Sequence, residues 1–247
     1  MALLTQDYYC RCIGMASELR VVIPDDRLRE GAGPESTLIL LSPEGESGLA
    51  WVTSTKLNAL CGTYGVAAVL VPCLQGCYTD MAYGYPFYRS LKQVRSYVQT
   101  YLPGIPMEAG QTAIAGASAG GYAALKWAME EPDFFACCAS FSGLLSPDRA
   151  PEGWFTEKRM LCLYGDEAQR SDEHARFLAL CRETEQSNCL LFAAEQDPGY
   201  ASSAEAAGVL GSKARFVTAK GGADWSAWSD DLADFLEYWK GGAGKCR

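Results

Sequence analysis

With 247 residues, 49% of them hydrophobic and 21% charged, the chain is long enough to bury a full core without disulfide staples and has an ordinary globular composition. A formal net charge of −9, with no basic block to offset it, argues against a nucleic-acid or anionic-membrane partner. No apolar run approaches the length of a membrane span, and residues 1–10 lack the basic-then-apolar order of a secretory signal, so a cytoplasmic protein is expected.

Taken from the N-terminus, residues 18–23 read as a strand closed by Pro24-Asp25-Asp26. Residues 36–41 form a continuous apolar run suited to a buried strand, and 51–61 a helix of weak propensity. The next buried strand, 66–71, stops at Pro72, and a tyrosine-rich loop, 78–86, leads to a helix from about Tyr88 to Leu102. Strands follow at 112–115 and 135–141. Residues 146–158 are a polar excursion punctuated by Pro and Gly. Ser171 is placed to cap a helix over 172–185, before a strand at 189–194, a helix at 201–210 and a strand at 214–218. The closing helix, 225–240, spaces Trp225, Trp228, Leu232, Phe235, Leu236 and Trp239 as a core-facing stripe. Strands alternating with helices predict the α/β class, with a mainly parallel sheet covered on both faces. One domain over 1–247 is expected, with a short insertion at about 144–188.

The segment that carries chemistry is the 112–115 strand running into Gly116-Ala117-Ser118-Ala119-Gly120, with a helix-forming run, 123–129, behind it. Strand, G-x-S-x-G, helix is the setting of a nucleophile elbow. A serine on so sharp a turn needs small neighbours, which the flanking glycines and alanines supply. The helix start then aims amide groups at the place where an oxyanion would form. In an open α/β sheet this turn lies at the carboxyl end of a central strand, where ligands bind.

Four stretches resemble α/β-hydrolases of the esterase D type, the putative-esterase group that includes tributyrin esterases and S-formylglutathione hydrolases. They are Tyr78-Thr-Asp-Met-Ala-Tyr-Gly84, the segment 114–122 around Ser118, Leu163-Tyr-Gly-Asp166 and Gly221-Gly-Ala-Asp-Trp-Ser-Ala-Trp228. They follow the family's order over nearly the whole chain. The resemblance implies Ser118 as nucleophile and Asp197, just after the 189–194 strand, as the acid. It puts Ala223 where the family has its catalytic histidine. An alanine can neither accept the serine proton nor return it to a leaving group. The oxyanion donors implied are the amides of Ala119 and Glu44. Here Ser42-Pro43 stands where a His-Gly pair is usual, and the Pro72–Cys77 loop also lacks the usual acidic residue and paired glycines. A carboxylate at Glu44 would oppose a developing negative charge.

Other residues have blander expectations. His174 reads as a solvated helix-surface histidine, and Asp224 as a poor base for an alcohol. Tyr78, Tyr83 and Tyr85, with Phe87 and Tyr88, line a substrate pocket or pack a loop. Glu30, Glu35, Glu44 and Glu46 have no metal-ligand spacing. The eleven cysteines include no C-x-x-C pair and have one histidine among them, so they read as small buried apolar residues in a reducing compartment. No metal and no cofactor are expected. The expected function is a very weak or inactive esterase that still binds a small-molecule ester or acylated sugar, its homo-oligomeric state left open. The alternatives are an active carboxylesterase of small acyl esters using another base, and a non-catalytic interaction module.

Overall fold

A computed structural model describes residues 2–24, 31, 33–146 and 154–241. Asp25, Asp26, Glu30, Cys246 and residues 147–153 of the polar excursion lie outside the described residues. Eight strands form one sheet in the order β1-β2-β4-β3-β5-β6-β7-β8. β1 (Ala2–Cys10) and β2 (Met15–Ile23) make an antiparallel hairpin, and β2 pairs antiparallel with β4 (Val66–Val71). From there β3 (Ser36–Leu41), β5 (Thr112–Ala117), β6 (Phe135–Phe141), β7 (Cys189–Ala193) and β8 (Ala214–Thr218) are parallel.

The apolar runs form strands buried on both faces, and their period of two sorts side chains between two cores. Ile39, Leu41, Val69, Val71 and Ile114 meet α3 (Phe87–Tyr101), α4 (Ala119–Glu130), α6 (Glu167–Glu183) and α7 (Tyr200–Leu210). Leu38, Leu40, Ala68, Leu70, Ala113 and Ala115 meet α1 (Leu49–Ser54), α2 (Leu57–Tyr64) and α8 (Trp225–Lys240). This is the α/β-hydrolase fold, with helices on both faces of a mainly parallel sheet.

Three local expectations need revision. The β1 strand was not foreseen: its burial alternates only from Thr5 to Cys10, and it is held as an edge by backbone pairing with β2. The single helix expected at 51–61 is two, because Thr55 is extended at φ −132°, ψ 174°. The helix expected from 172 begins at Glu167, since Asp166 and Gln169 form a capping box that outcompetes Ser171. An unforeseen α5 (Glu157–Tyr164) precedes it, capped by the Thr156 side chain.

His174 is a further correction. It is buried, not solvated, with Nε2 3.5 Å from Glu205 Oε2 where α6 packs on α7. Of the ten described cysteines eight are buried and two half-buried, all with free thiols. Burial pushes the Cys61 and Cys181 thiols up to about 12, far from the thiolate that would react.

Candidate active site

At the end of β5 the chain turns through Ser118, whose φ of +52° and ψ of −118° lie in a region that L-residues rarely occupy. The turn is held on both sides. Ser118 N donates to Phe141 O at 3.0 Å, and Ser118 O accepts from Gly121 N at 3.0 Å. The glycines are obligatory by distance. A Cβ on Gly116 would sit 2.5 Å from Gly120 backbone, and one on Gly120 would sit 2.7 Å from Leu41 O. Ser118 therefore stands at the N-terminus of α4, buried to 4% exposure.

After β3 the chain makes a tight turn in which Glu46 N donates to Pro43 O at 3.2 Å and Gly45 supplies φ +77°. The turn delivers the Glu44 side chain to the elbow. Its Oε1 accepts from Ser118 Oγ at 2.9 Å and from Ala119 N at 3.1 Å. Of the two expected oxyanion donors, Ala119 N is thus in place but already engaged. Glu44 enters the site through its side chain, as an acceptor.

Asp197 lies on the turn after β7, buried to 6% exposure. Its Oδ2 accepts from Ser142 Oγ at 2.7 Å and Ala194 N at 2.8 Å, and Trp228 Nε1 donates to the same Ser142 hydroxyl at 3.2 Å. Asp197 Oδ1 is buried with no hydrogen-bond partner. Ala223 lies on the loop before α8, which Gln196 Nε2 ties to the Asp197 turn by donating to Gly221 O. Asp224 is spent on capping α8, accepting from Ser226 N at 2.9 Å and Ala227 N at 3.0 Å.

A cavity of about 360 Å³ opens in front of Ser118. One wall is the turn from Pro43 to Glu46, and a second is Trp154, Phe155 and Arg159 from the segment around α5. Ser142, Ala223, Trp225 and Trp228 close it on the acid side. The expected tyrosines are elsewhere. Tyr78 is buried, its hydroxyl donating to Val71 O at 2.8 Å and lying 3.2 Å from Ser42 O, while Tyr83 and Tyr85 face solvent. None of the three lines this cavity, because the loop's aromatic contact is spent locally, Tyr85 against Phe87. His174 does not line it either.

Residues that sequence reasoning missed include Ser142, Trp154, Phe155 and Arg159. Trp225 and Trp228 had a signal, but helical spacing assigned them to the core, which they also join. Cys73 and Cys77 adjoin the site. The hydrogen bond between their thiols raises the Cys73 pKa, with burial adding to it, and lowers that of Cys77, which Arg159 also stabilises as thiolate.

A serine at positive φ between a central parallel strand and its following helix, with an acid after a later strand, defines an α/β-hydrolase of the serine type. The chain belongs to the putative esterase family, whose sequence profile matches residues 91–238. Among similar solved structures is the fluorophosphonate-binding serine hydrolase FphF of Staphylococcus aureus, with a TM-score of 0.81 at 19% identity over 96% of this chain and 98% of that one. The S-formylglutathione hydrolase FrmB of the same organism gives 0.78 at 19% identity, over 96% and 98%. A ferulic acid esterase gives 0.76 at 16% identity, over 97% of each chain. At such identities these structures speak for the fold alone. No curated protein matches the chain in sequence.

Proposed function

We propose that this chain is an esterase-family protein that holds a small ester or acylated ligand in the cavity before Ser118 and turns it over very slowly or not at all. One observation carries the reading: Glu44 Oε1 accepts from both Ser118 Oγ and Ala119 N. Ester hydrolysis by the serine route needs a base that can return the proton to the leaving alcohol, and free amides for the oxyanion. Here position 223 is alanine, and a carboxylate already fills the amide site and would repel a developing oxyanion. Asp197 keeps a free Oδ1 with no imidazole to orient.

The test is hydrolysis of p-nitrophenyl acetate by the parent, by Ser118→Ala and by a double variant, Glu44→Gly with Ala223→His. The parent should match Ser118→Ala, and the double variant should exceed both by about 10² or more, the usual scale of a positioned base. A parent faster than Ser118→Ala by several orders of magnitude would overturn the reading.

The 2.9 Å bond from Ser118 Oγ to Glu44 Oε1 favours a second reading, an active esterase in which Glu44 takes the serine proton. It requires Glu44→Gln to abolish a turnover that the parent possesses. Against it stands the same oxygen's bond to Ala119 N, which places the base where the oxyanion must go.

A further inference from the structure

The charge of this cavity is unbalanced. Glu44 and Glu46 line it, and Asp197 lies behind Ser142, which holds its Oδ2, and Pro198, which follows it in the chain and also lines the cavity. Among the described residues none of these three carboxylates has an ion-pair partner. Arg159 is the cation that lines the cavity, and it is engaged at the rim. Its guanidinium lies 4.6 Å from the Phe155 ring centroid, with Nη2 3.5 Å from Gln75 O and 3.6 Å from Cys77 Sγ.

The same cavity is lined by aromatic side chains. Trp225 and Trp228 meet edge to face, centroids 5.2 Å apart and planes at 82°, so that their rings present faces in two perpendicular directions. Trp154 and Phe155 stand in the wall contributed by the segment around α5. Aromatic faces attract cations through the ring quadrupole, and more so where water is excluded. Buried Asp197 adds the need for a donor: its Oδ1 is orphaned, and an oxygen so placed is costly until something donates to it.

We propose that the ligand of this cavity bears a cationic N–H group, an organic ammonium or a protonated nitrogen heterocycle, on an apolar body. The head group would pair with the free oxygen of Glu44, its N–H directed through the space left by the absent imidazole toward the buried Oδ1 of Asp197 behind the wall, and the body would lie against the tryptophans. This rests on reading the cavity as a binding site and names the chemistry that it selects.

The experiment is calorimetric titration at pH 7 and low salt with benzylammonium, its neutral isostere benzyl alcohol, and benzoate. Benzylammonium should bind at least about tenfold more tightly than benzyl alcohol, a difference of about 1.4 kcal/mol, and benzoate should show no saturation. Ala223→His should weaken benzylammonium by about tenfold, because the imidazole would donate to Asp197 Oδ1 and fill the same space. Glu44→Gln, which keeps the side-chain volume, should weaken it severalfold, and thermal melts check that both variants fold. Equal or tighter binding of benzyl alcohol or benzoate, or no saturable binding of benzylammonium, would overturn the proposal. Its failure is separable from that of the slow-turnover reading. A parent that hydrolyses p-nitrophenyl acetate rapidly yet prefers the cation sinks only the latter. An inert parent without cation preference sinks only the former.

Discussion

Helix α4 has one carboxylate site at its N-terminus and another along its body, and the two are handled in opposite ways. Along its body, Tyr122 Oη and Lys126 Nζ both lie 2.6 Å from Glu173 Oε1, with Arg176 Nε 4.0 Å from Oε2. Burial alone would raise the Glu173 carboxyl, but Lys126 and the Tyr122 hydroxyl hold it below the usual carboxylate range. At the N-terminus, Glu44 and Asp197 are given hydroxyls and amides and no cation. The fold therefore has the means to neutralise a carboxylate on this helix and uses them at one of the two sites only. On the proposed reading, an acid left without its counter-charge beside a cavity awaits a partner from outside.

The comparison breaks most visibly at Lys126. Lys126→Met leaves Glu173 partly buried with only the longer contact to the exposed Arg176 and should cost about 1–3 kcal/mol in urea unfolding, the lower part of the range reflecting that contact and its residual exposure. The sign of its pH dependence follows. Glu173 has a depressed folded pKa, so the parent's gain is present above the unfolded carboxylate pKa and fades as pH falls through the folded one. The parent and variant should therefore converge in acid, and a constant gap down to the lowest pH at which both fold would assign the loss to packing.

A smaller effect sharpens the N-terminal site. Glu44→Ala should raise the rate at which a fluorophosphonate probe labels Ser118 by about tenfold, because it frees the Ala119 amide and removes a repelling charge. Labelling that slows instead would make Glu44 the working base. Smallest is Asp231 on α8, whose carboxyl is pushed up to about 7 by burial first and then by Asp234, Asp197 and Asp230. Here the folded state binds the extra proton, so stability falls as pH rises from about 4 to 7 and then levels. Asp231→Asn should match the parent near pH 4 and melt a few degrees higher above pH 7, about 1 kcal/mol of stability. A parallel displacement at all pH values would remove charge from the explanation.

The strands and the elbow were legible because their signals are local. Continuous apolar runs and the small residues around Ser118 leave the backbone few choices. Asp197 and Ala223 were picked out through the family resemblance, and the structure puts them on two loops joined through Gln196 and Gly221. What was hidden depends on rotation and reach. Glu44 was read as an amide donor with a carboxylate opposing the oxyanion, but nothing in Pro43-Glu44-Gly45 says that the side chain turns inward to accept from Ser118 Oγ and Ala119 N. Tyr78 looked like a pocket tyrosine, yet its hydroxyl satisfies the carbonyls of Val71 and Ser42. Trp154, Phe155 and Arg159 come from a segment with no periodic pattern. His174 is buried by α7, an element that the helix bearing it cannot announce.

The bridge from Gln196 to Gly221 has an evolutionary side. It joins the loop before position 223 to the Asp197 turn through a main-chain carbonyl, whatever residue stands at 223. On the slow-turnover reading, the path back to hydrolysis thus runs through side chains at 44 and 223, with the chain trace already in place. Such a protein is a reservoir of reactivity held two residues from use, free meanwhile to be selected for what it grips.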